Sequence, residues 1–187
     1  MAGLSPDLSV ARWELVATGK PQRAPLPSAD ELQVIHLFDE LRPRLLRYLL
    51  GFGLPVQDAE EVIQDVFLAL FQHLQREKSR QNLRGWIFRV AHNLGLKHRL
   101  ATTRETVLES EEPDPSENPE ERLLNRQRHQ RLQAVLHALP EQDQCCLFLR
   151  AEGLRYRDIA DVLDISLASV SASLTRSLAR LSRADGS

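Results

Sequence analysis

LRYRDIADVLDISLASVSASLTRSLARL, residues 154–181, is the stretch that decides the fold. Ile159, Ala160 and Leu163 give one short amphipathic helix. Val170, Leu174, Leu178 and Leu181 fall at the i, i+4, i+8, i+11 spacing of a single buried stripe on a second. Asp164-Ile165-Ser166 between them is long enough only for a tight turn. Ile165 can plug the corner, and Ala160 is small where the helices must cross. Ser166 can cap the second helix by accepting a backbone N–H. The pattern predicts a helix-turn-helix whose second helix presents Ser169, Ser171, Ser173, Thr175 and Arg176 outward, where they can hydrogen-bond DNA. A plain αα-hairpin buried in a bundle shares this local pattern, so the rest of the chain has to separate the two.

The 187 residues are enough for one large domain or two small ones, and 42% hydrophobic with 27% charged residues is an ordinary globular balance. A formal net charge of −2 argues against a uniformly basic nucleic-acid coat, yet the charge is segregated. Residues 76–104 carry Arg76, Lys78, Arg80, Arg84, Arg89, Lys97, Arg99 and Arg104 against the single acid Glu77, whereas 109–121 carry seven acids and no base. Cys145 and Cys146 are helix neighbours about 100° apart, which suits neither a mutual bridge nor a metal site; one is expected to face the core. Two thiols without a cysteine framework fit a reducing cytoplasm. No apolar run approaches the roughly 20 residues of a membrane span, and MAGLSPDLSVARWELV lacks the pattern of a secretion signal, so membrane insertion is not expected.

The expected class is all-α, with two small helical domains joined by a flexible acidic linker. Residues 1–29, with four prolines, read as a disordered tail. Residues 30–104 read as helical. A first helix carries Leu32, Ile35, Leu37 and Phe38, then Leu45, Leu46, Tyr48, Leu49 and Leu50 beyond Pro43, until Gly51, Gly53 and Pro55 end it. A second, from about Asp58, buries Val62, Ile63, Val66, Phe67, Leu70 and Phe71. REKSRQN at 76–82 breaks the pattern, and a third helix buries Ile87, Val90, Ala91 and Leu94. Residues 105–121 form an acidic connector interrupted by Pro113, Pro115 and Pro119. Helix returns at about 120, and 122–187 make the second domain, with Leu132, Val135, Leu136 and Leu139 ahead of Pro140.

Two further faces bear on function. On the second helix, Glu61, Gln64, Asp65, Leu68 and Gln72 lie opposite the buried stripe. A solvated face accounts for the polar members, while a leucine among them hints at a protein-docking surface. On the third, Arg89, His92, Asn93, Leu96, Lys97 and Arg99 point away from the Ile87/Val90/Ala91/Leu94 stripe. Basic side chains with amides and an aromatic residue track phosphates and hold unpaired bases. Most of the Trp86 ring is equally well placed in the core, and the basic face is also compatible with plain solvent surface.

Here the chain resembles a known family. DAEEVIQDVFLALF followed by LRGWIFRVAHNLGLKH is similar to region two of bacterial sigma factors, and ALPEQDQCCLFLRAEGLRYRDIADVLDISLASVSASL is similar to region four. Two such regions in this order with no third domain between them is the layout of the extracytoplasmic-function group. The resemblance implies that Asp58, Glu61, Gln64, Asp65, Leu68 and Gln72 dock on the clamp helices of the RNA polymerase large subunit. It implies that Arg80, Asn82, Arg84, Trp86, Arg89, His92, Asn93 and Lys97 open the minus-ten element and capture its non-template bases. It implies that Arg155, Arg157, Ser169, Ser171, Ser173, Thr175 and Arg176 read the minus-thirty-five element as duplex. The implied partners are core RNA polymerase, through its clamp helices and flap, promoter DNA, and an anti-sigma factor that masks these surfaces.

Members of that family usually carry Lys or Arg where this chain has Ser171, and commonly Arg where it has Ser173, so a weaker upstream contact is expected. Asp164 stands at the usual turn glycine, a position Asp tolerates because it visits the left-handed region readily. Six histidines show no i, i+4 pairing, and no glycine-rich phosphate loop or nucleophile elbow occurs, so neither cofactor, metal nor catalysis is expected. Two other classes stay open at this point: a stand-alone helix-turn-helix regulator with a sensing first domain, and an interaction protein that sequesters polymerase without opening a promoter. A linker of roughly 20 residues reaches at most about 65–70 Å, and it also permits close approach of the two halves.

Overall fold

The computed structural model describes residues 26–76, 78–102, 128 and 130–185. These form α1 (Ala29–Gly51), α2 (Val56–Gln75), α3 (Leu83–Thr102), α4 (130–137), α5 (Glu141–Ala151), α6 (Tyr156–Leu163) and α7 (Leu167–Asp185). No strand occurs among the described residues, and the fold is all-α as the periodicity predicts. Most of the expected N-terminal tail, the acidic connector at 105–121 and the return of helix near 120 lie outside the described residues.

α1 starts where Ser28 caps it: the Glu31 N–H donates to Ser28 Oγ at 3.2 Å, and the Ser28 N–H donates back to Glu31 Oε2 at 2.6 Å. The helix continues through Pro43 as one element. It stops because Gly53 takes φ +94°, which lets the Leu54 N–H bond the Leu49 carbonyl at 3.1 Å and tucks Leu54 into the core. The same device recurs at the end of α5, where Gly153 takes φ +81° and the Leu154 N–H bonds the Leu149 carbonyl, also at 3.1 Å. GLPVQDAEEVI at 53–63 and GLRYRDIADVL at 153–163 are therefore two uses of one local grammar: left-handed glycine, buried leucine, new helix.

α1, α2 and α3 pack together around Leu41, Leu45, Leu49, Ile63, Val66, Leu70, Ile87 and Phe88, with Phe38 edge-on to Phe67 at 4.9 Å. α5, α6 and α7 pack around Leu149, Leu154, Ile159, Val162, Val170 and Leu174. The buried clusters are continuous, because α6 rests on α3 and α5 touches α1.

Two expectations about α5 and α7 are corrected. Both cysteines are buried, not one. Residues 100° apart can both be covered on α5 because Cys145 faces Tyr48 of α1 while Cys146 faces Ser173 of α7. Burial pushes the Cys145 thiol up to about 12 and raises that of Cys146, so both stay protonated and unreactive at neutral pH. On α7 the buried stripe is Val170, Ser173, Leu174 and Ser177, while Leu178 is 54% exposed. Ser177 Oγ–H donates to the Ser173 carbonyl at 2.8 Å, so its hydroxyl is satisfied without water and small side chains fill the crossing with α5.

Candidate nucleic-acid interface

The face of α2 opposite the core is built as the sequence predicts. Glu61, Gln64, Asp65 and Gln72 are exposed and Leu68 is 57% exposed, while Asp58 in the first turn is half-buried. Glu60 alongside is engaged with Arg42 at 2.6 Å and so belongs to the packing of α1 on α2.

The segment before α3 is held by specific bonds. Asn82 takes φ +51°, caps α3 by accepting the Gly85 N–H at 3.2 Å, and donates through Nδ2 to Asp158 Oδ1 of α6 at 2.8 Å. Gly85 leaves room for this arrangement: a Cβ would stand 2.5 Å from Asn82 Nδ2 and push that side chain aside. Arg80 bonds Gln33 and Asp30 of α1, both at 2.6 Å, and Arg84 is half-buried with Nη2 donating to the Glu152 carbonyl at 2.6 Å. Trp86 is half-buried against His73 at 4.6 Å, and His73 Nε2 lies 2.9 Å from the Ser79 carbonyl. Along α3, Arg89, Asn93, Leu96 and Lys97 form the exposed row.

His92 and Arg99 do not join that row, contrary to expectation. His92 turns toward α1, where its Nδ1 lies 2.8 Å from Tyr48 Oη; burial, aided by the Arg99 charge and opposed by Glu141, lowers its pKa. Arg99 lies over the Phe52 ring at 4.6 Å and pairs with Glu141 at 2.7 Å. The periodicity of α3 alone places both on the polar side, but α1 covers that flank and Glu141 of α5 reaches Arg99.

In the helix-turn-helix, Asp164 takes φ +54° as expected, Ser166 Oγ accepts the Ser169 N–H at 3.1 Å, and Ile165 packs on the core. Arg157, Ser171 and Thr175 are exposed and Ser169 is half-buried. Ser173 is corrected: it is buried against α5, bonded by Gln142 and Arg176, and does not face outward. Arg176 is exposed but tethered, its Nη2 and Nε reaching Asp143 at 2.9 and 3.3 Å. Burial alone would raise the Asp143 pKa; the bonds from Arg176 and Ser173 and the charges of Arg176 and Arg180 outweigh it and hold the carboxyl low. Arg155 is likewise occupied, bonding Asp158 Oδ2 through Nε at 2.9 Å and through its backbone N–H at 3.2 Å. Those bonds, with the Asn82 amide, hold Asp158 below the usual carboxylate range against the opposing effect of burial.

Sequence reasoning missed Arg180, an exposed cation one turn beyond Arg176 whose i, i+4 spacing was the available signal. It also missed Arg47, 61% exposed, which grips Glu152 with Nε and Nη2 at 3.0 and 2.8 Å. No local signal marks that pair, because it joins residues far apart in the chain.

Comparison with known proteins agrees with this arrangement. The Sigma-70 region 2 family matches residues 37–105 and the Sigma-70 region 4 family matches 129–181. The ECF RNA polymerase sigma factor SigE of Mycolicibacterium smegmatis is 30% identical over 166 residues, covering 86% of this chain, and the chain spans 62% of that relative's length. The RNA polymerase sigma-H factor of Pseudomonas aeruginosa is 26% identical over 75% of this chain and 80% of its own. The fold is similar to that of the sigma factor RpoE of Bartonella quintana, solved with the anti-sigma factor NepR, at a TM-score of 0.62 and 17% identity, covering 81% of this chain and 96% of that one. Both regions occur in their proper order and together cover most of the chain, which belongs to the sigma-70 family and is similar to its extracytoplasmic-function members.

Proposed function

We propose that this chain is an alternative sigma factor that binds core RNA polymerase, directs it to two-part promoters and helps open the DNA for initiation. One observation carries the reading: an acidic and glutamine-rich face with the exposed Leu68 on α2 sits on the same three-helix unit as the basic exposed row of α3, with a helix-turn-helix following in the chain. A sensing domain attached to a DNA reader needs neither surface, which favours the sigma reading over a stand-alone regulator. Residues 30–104 serve polymerase docking and minus-ten opening, and 122–187 serve minus-thirty-five recognition. Asp58, Glu61, Gln64, Asp65, Leu68 and Gln72 meet the clamp helices. Arg89, Asn93 and Lys97 track the separated strand, joined by Arg80, Asn82, Arg84 and Trp86. Arg157, Ser169, Ser171 and Thr175 meet the upstream duplex, with Arg155 and Arg176 positioning their helices through Asp158 and Asp143.

The polymerase performs the chemistry, and this chain contributes binding and strand capture without a cofactor. It acts in the cytoplasm, where polymerase and DNA meet; no described helix is long and apolar enough to cross a membrane. An anti-sigma factor that masks these surfaces is a fitting regulator. Run-off transcription with core polymerase, with and without the protein, tests the reading: a promoter-specific transcript is expected only when it is present. Core binding without any such transcript would instead identify a sequestering protein. Asp65→Arg is expected to reduce core capture about tenfold or more by reversing the charge within the acidic docking face, with an unchanged circular-dichroism spectrum. Equal capture by the folded variant would move the docking surface elsewhere.

A further inference from the structure

The loop that leads into α3 has no core of its own. Residues 78–82 are all exposed, so burial of apolar surface does not fix their shape, and their ordering falls to a few bonds. Those bonds run to both neighbouring helices. On one side Arg80 reaches Gln33 and Asp30 of α1, each at 2.6 Å. On the other, Ser79 turns its backbone carbonyl to His73 in the last turn of α2, whose Nε2 lies 2.9 Å away. Ser79 Oγ also accepts the Gln81 N–H at 3.3 Å, which tightens the turn just ahead of Asn82.

His73 is set by a second contact. Its ring lies 4.6 Å from that of Trp86 on α3, tilted by 42°, so the side chain stands on the flank of α2 turned toward α3 while its neighbour Gln72 is exposed. A carbonyl can only accept, so Nε2 carries the hydrogen in this arrangement, in the neutral ring and the charged one alike. One imidazole thus joins the backbone of the loop to the tryptophan beside it. A bond at an exposed site adds little to global stability. Its effect is local, on the path of a loop with few other tethers, and a prearranged loop loses less freedom when it binds. Resting on the assignment of Arg80, Asn82 and Trp86 to strand capture, we propose that His73 is a positioning residue for that capture: by holding the Ser79 carbonyl it keeps Arg80 and Asn82 at a fixed distance from Trp86, where one unpaired strand meets all three.

Two substitutions separate the bond from the ring. His73→Phe keeps a ring beside Trp86 and cannot donate, whereas His73→Gln can donate through its amide and has no ring. Each is measured in the full chain by anisotropy with a fluorescent random-sequence single-stranded DNA at one salt concentration, by amide hydrogen exchange across 78–82, and by thermal melting. His73→Phe is expected to weaken DNA binding about fivefold, the scale of one lost hydrogen bond, and to speed exchange in the loop. His73→Gln is expected to keep the affinity within about twofold of wild type. Both melting temperatures should stay within about 4 °C of wild type. Wild-type affinity in His73→Phe would overturn the proposal, as would a His73→Gln variant as weak as His73→Phe. A larger fall in the melting temperature of His73→Phe would make His73 a packing residue and overturn it too. Should His73→Phe fail to fold, His73→Ala takes its place with the same expectations. A wild-type chain that binds no single-stranded DNA would overturn the capture assignment itself, and the role of His73 with it; wild-type binding that the variants leave unchanged counts against His73 alone.

Discussion

At the scale of single residues, the side chains that look most like DNA readers divide into two groups. Ser171, Thr175 and Arg157 stand open, whereas Arg176 and Arg155 are held by buried carboxylates of their own half. Arg176→Ala leaves the buried Asp143 carboxylate without its cation and removes the tie between α5 and α7, so the melting temperature is expected to fall by roughly 4–8 °C, with a smaller fall for Asp143→Ala because the guanidinium it leaves behind is half in water. An unchanged melt would make Arg176 a free DNA contact after all. Asp143 and Asp158 both titrate below their unfolded values. Their contribution to stability is complete above the unfolded carboxylate value of about 3.9 and is lost as pH falls through the lower folded values. His92 acts at higher pH: its folded value lies below the unfolded one of about 6.5, so stability declines as pH falls beneath that point. Melting curves across this range should show two acid-side losses, and Asp143→Asn should shrink the lower one; a variant with the wild-type profile would contradict the assignment.

At the scale of elements, the chain builds its helices by local rules legible in its letters. Ser28 with Glu31, the left-handed Gly53 and Gly153, and Ser166 all start or stop helices through bonds within a few residues. Asn82 differs, because its amide caps α3 at one end and reaches α6 at the other. Replacing Gly85 with Ala would normally stabilise a helix by about 1 kcal/mol. Here the new Cβ forces the Asn82 side chain off both partners, costing a cap of about 1 kcal/mol and the bond to Asp158 as well. Gly85→Ala is therefore expected to gain nothing or to lose stability in chemical denaturation. A stabilised variant would show that Asn82 is not held this way.

At the scale of the whole molecule, the two halves form one continuous core instead of two separately solvated units. A single cooperative thermal transition is expected for the wild type. Phe148→Ala removes the ring that covers Gly51 between the two halves while leaving the Leu149 and Cys146 packing in place, so it should split the transition into two. A single transition in the variant would mean that the polar pairs alone couple the halves.

The sequence by itself determined the helical class, the turn chemistry, the helix-turn-helix and the acidic and basic faces, because each depends on residues within one or two turns of each other. Tertiary structure alone decided which polar residues are inside. Ser173, Ser177 and Cys146 are buried where α5 crosses α7, since small side chains allow close approach and their hydroxyl and thiol groups find partners there. His92 and Arg99 turn inward because α1 covers one flank of α3 and Glu141 of α5 pairs with Arg99. Periodicity says which residues share a face; it does not say what covers that face. The Arg47–Glu152 pair joins residues 105 positions apart, so no local pattern could announce it.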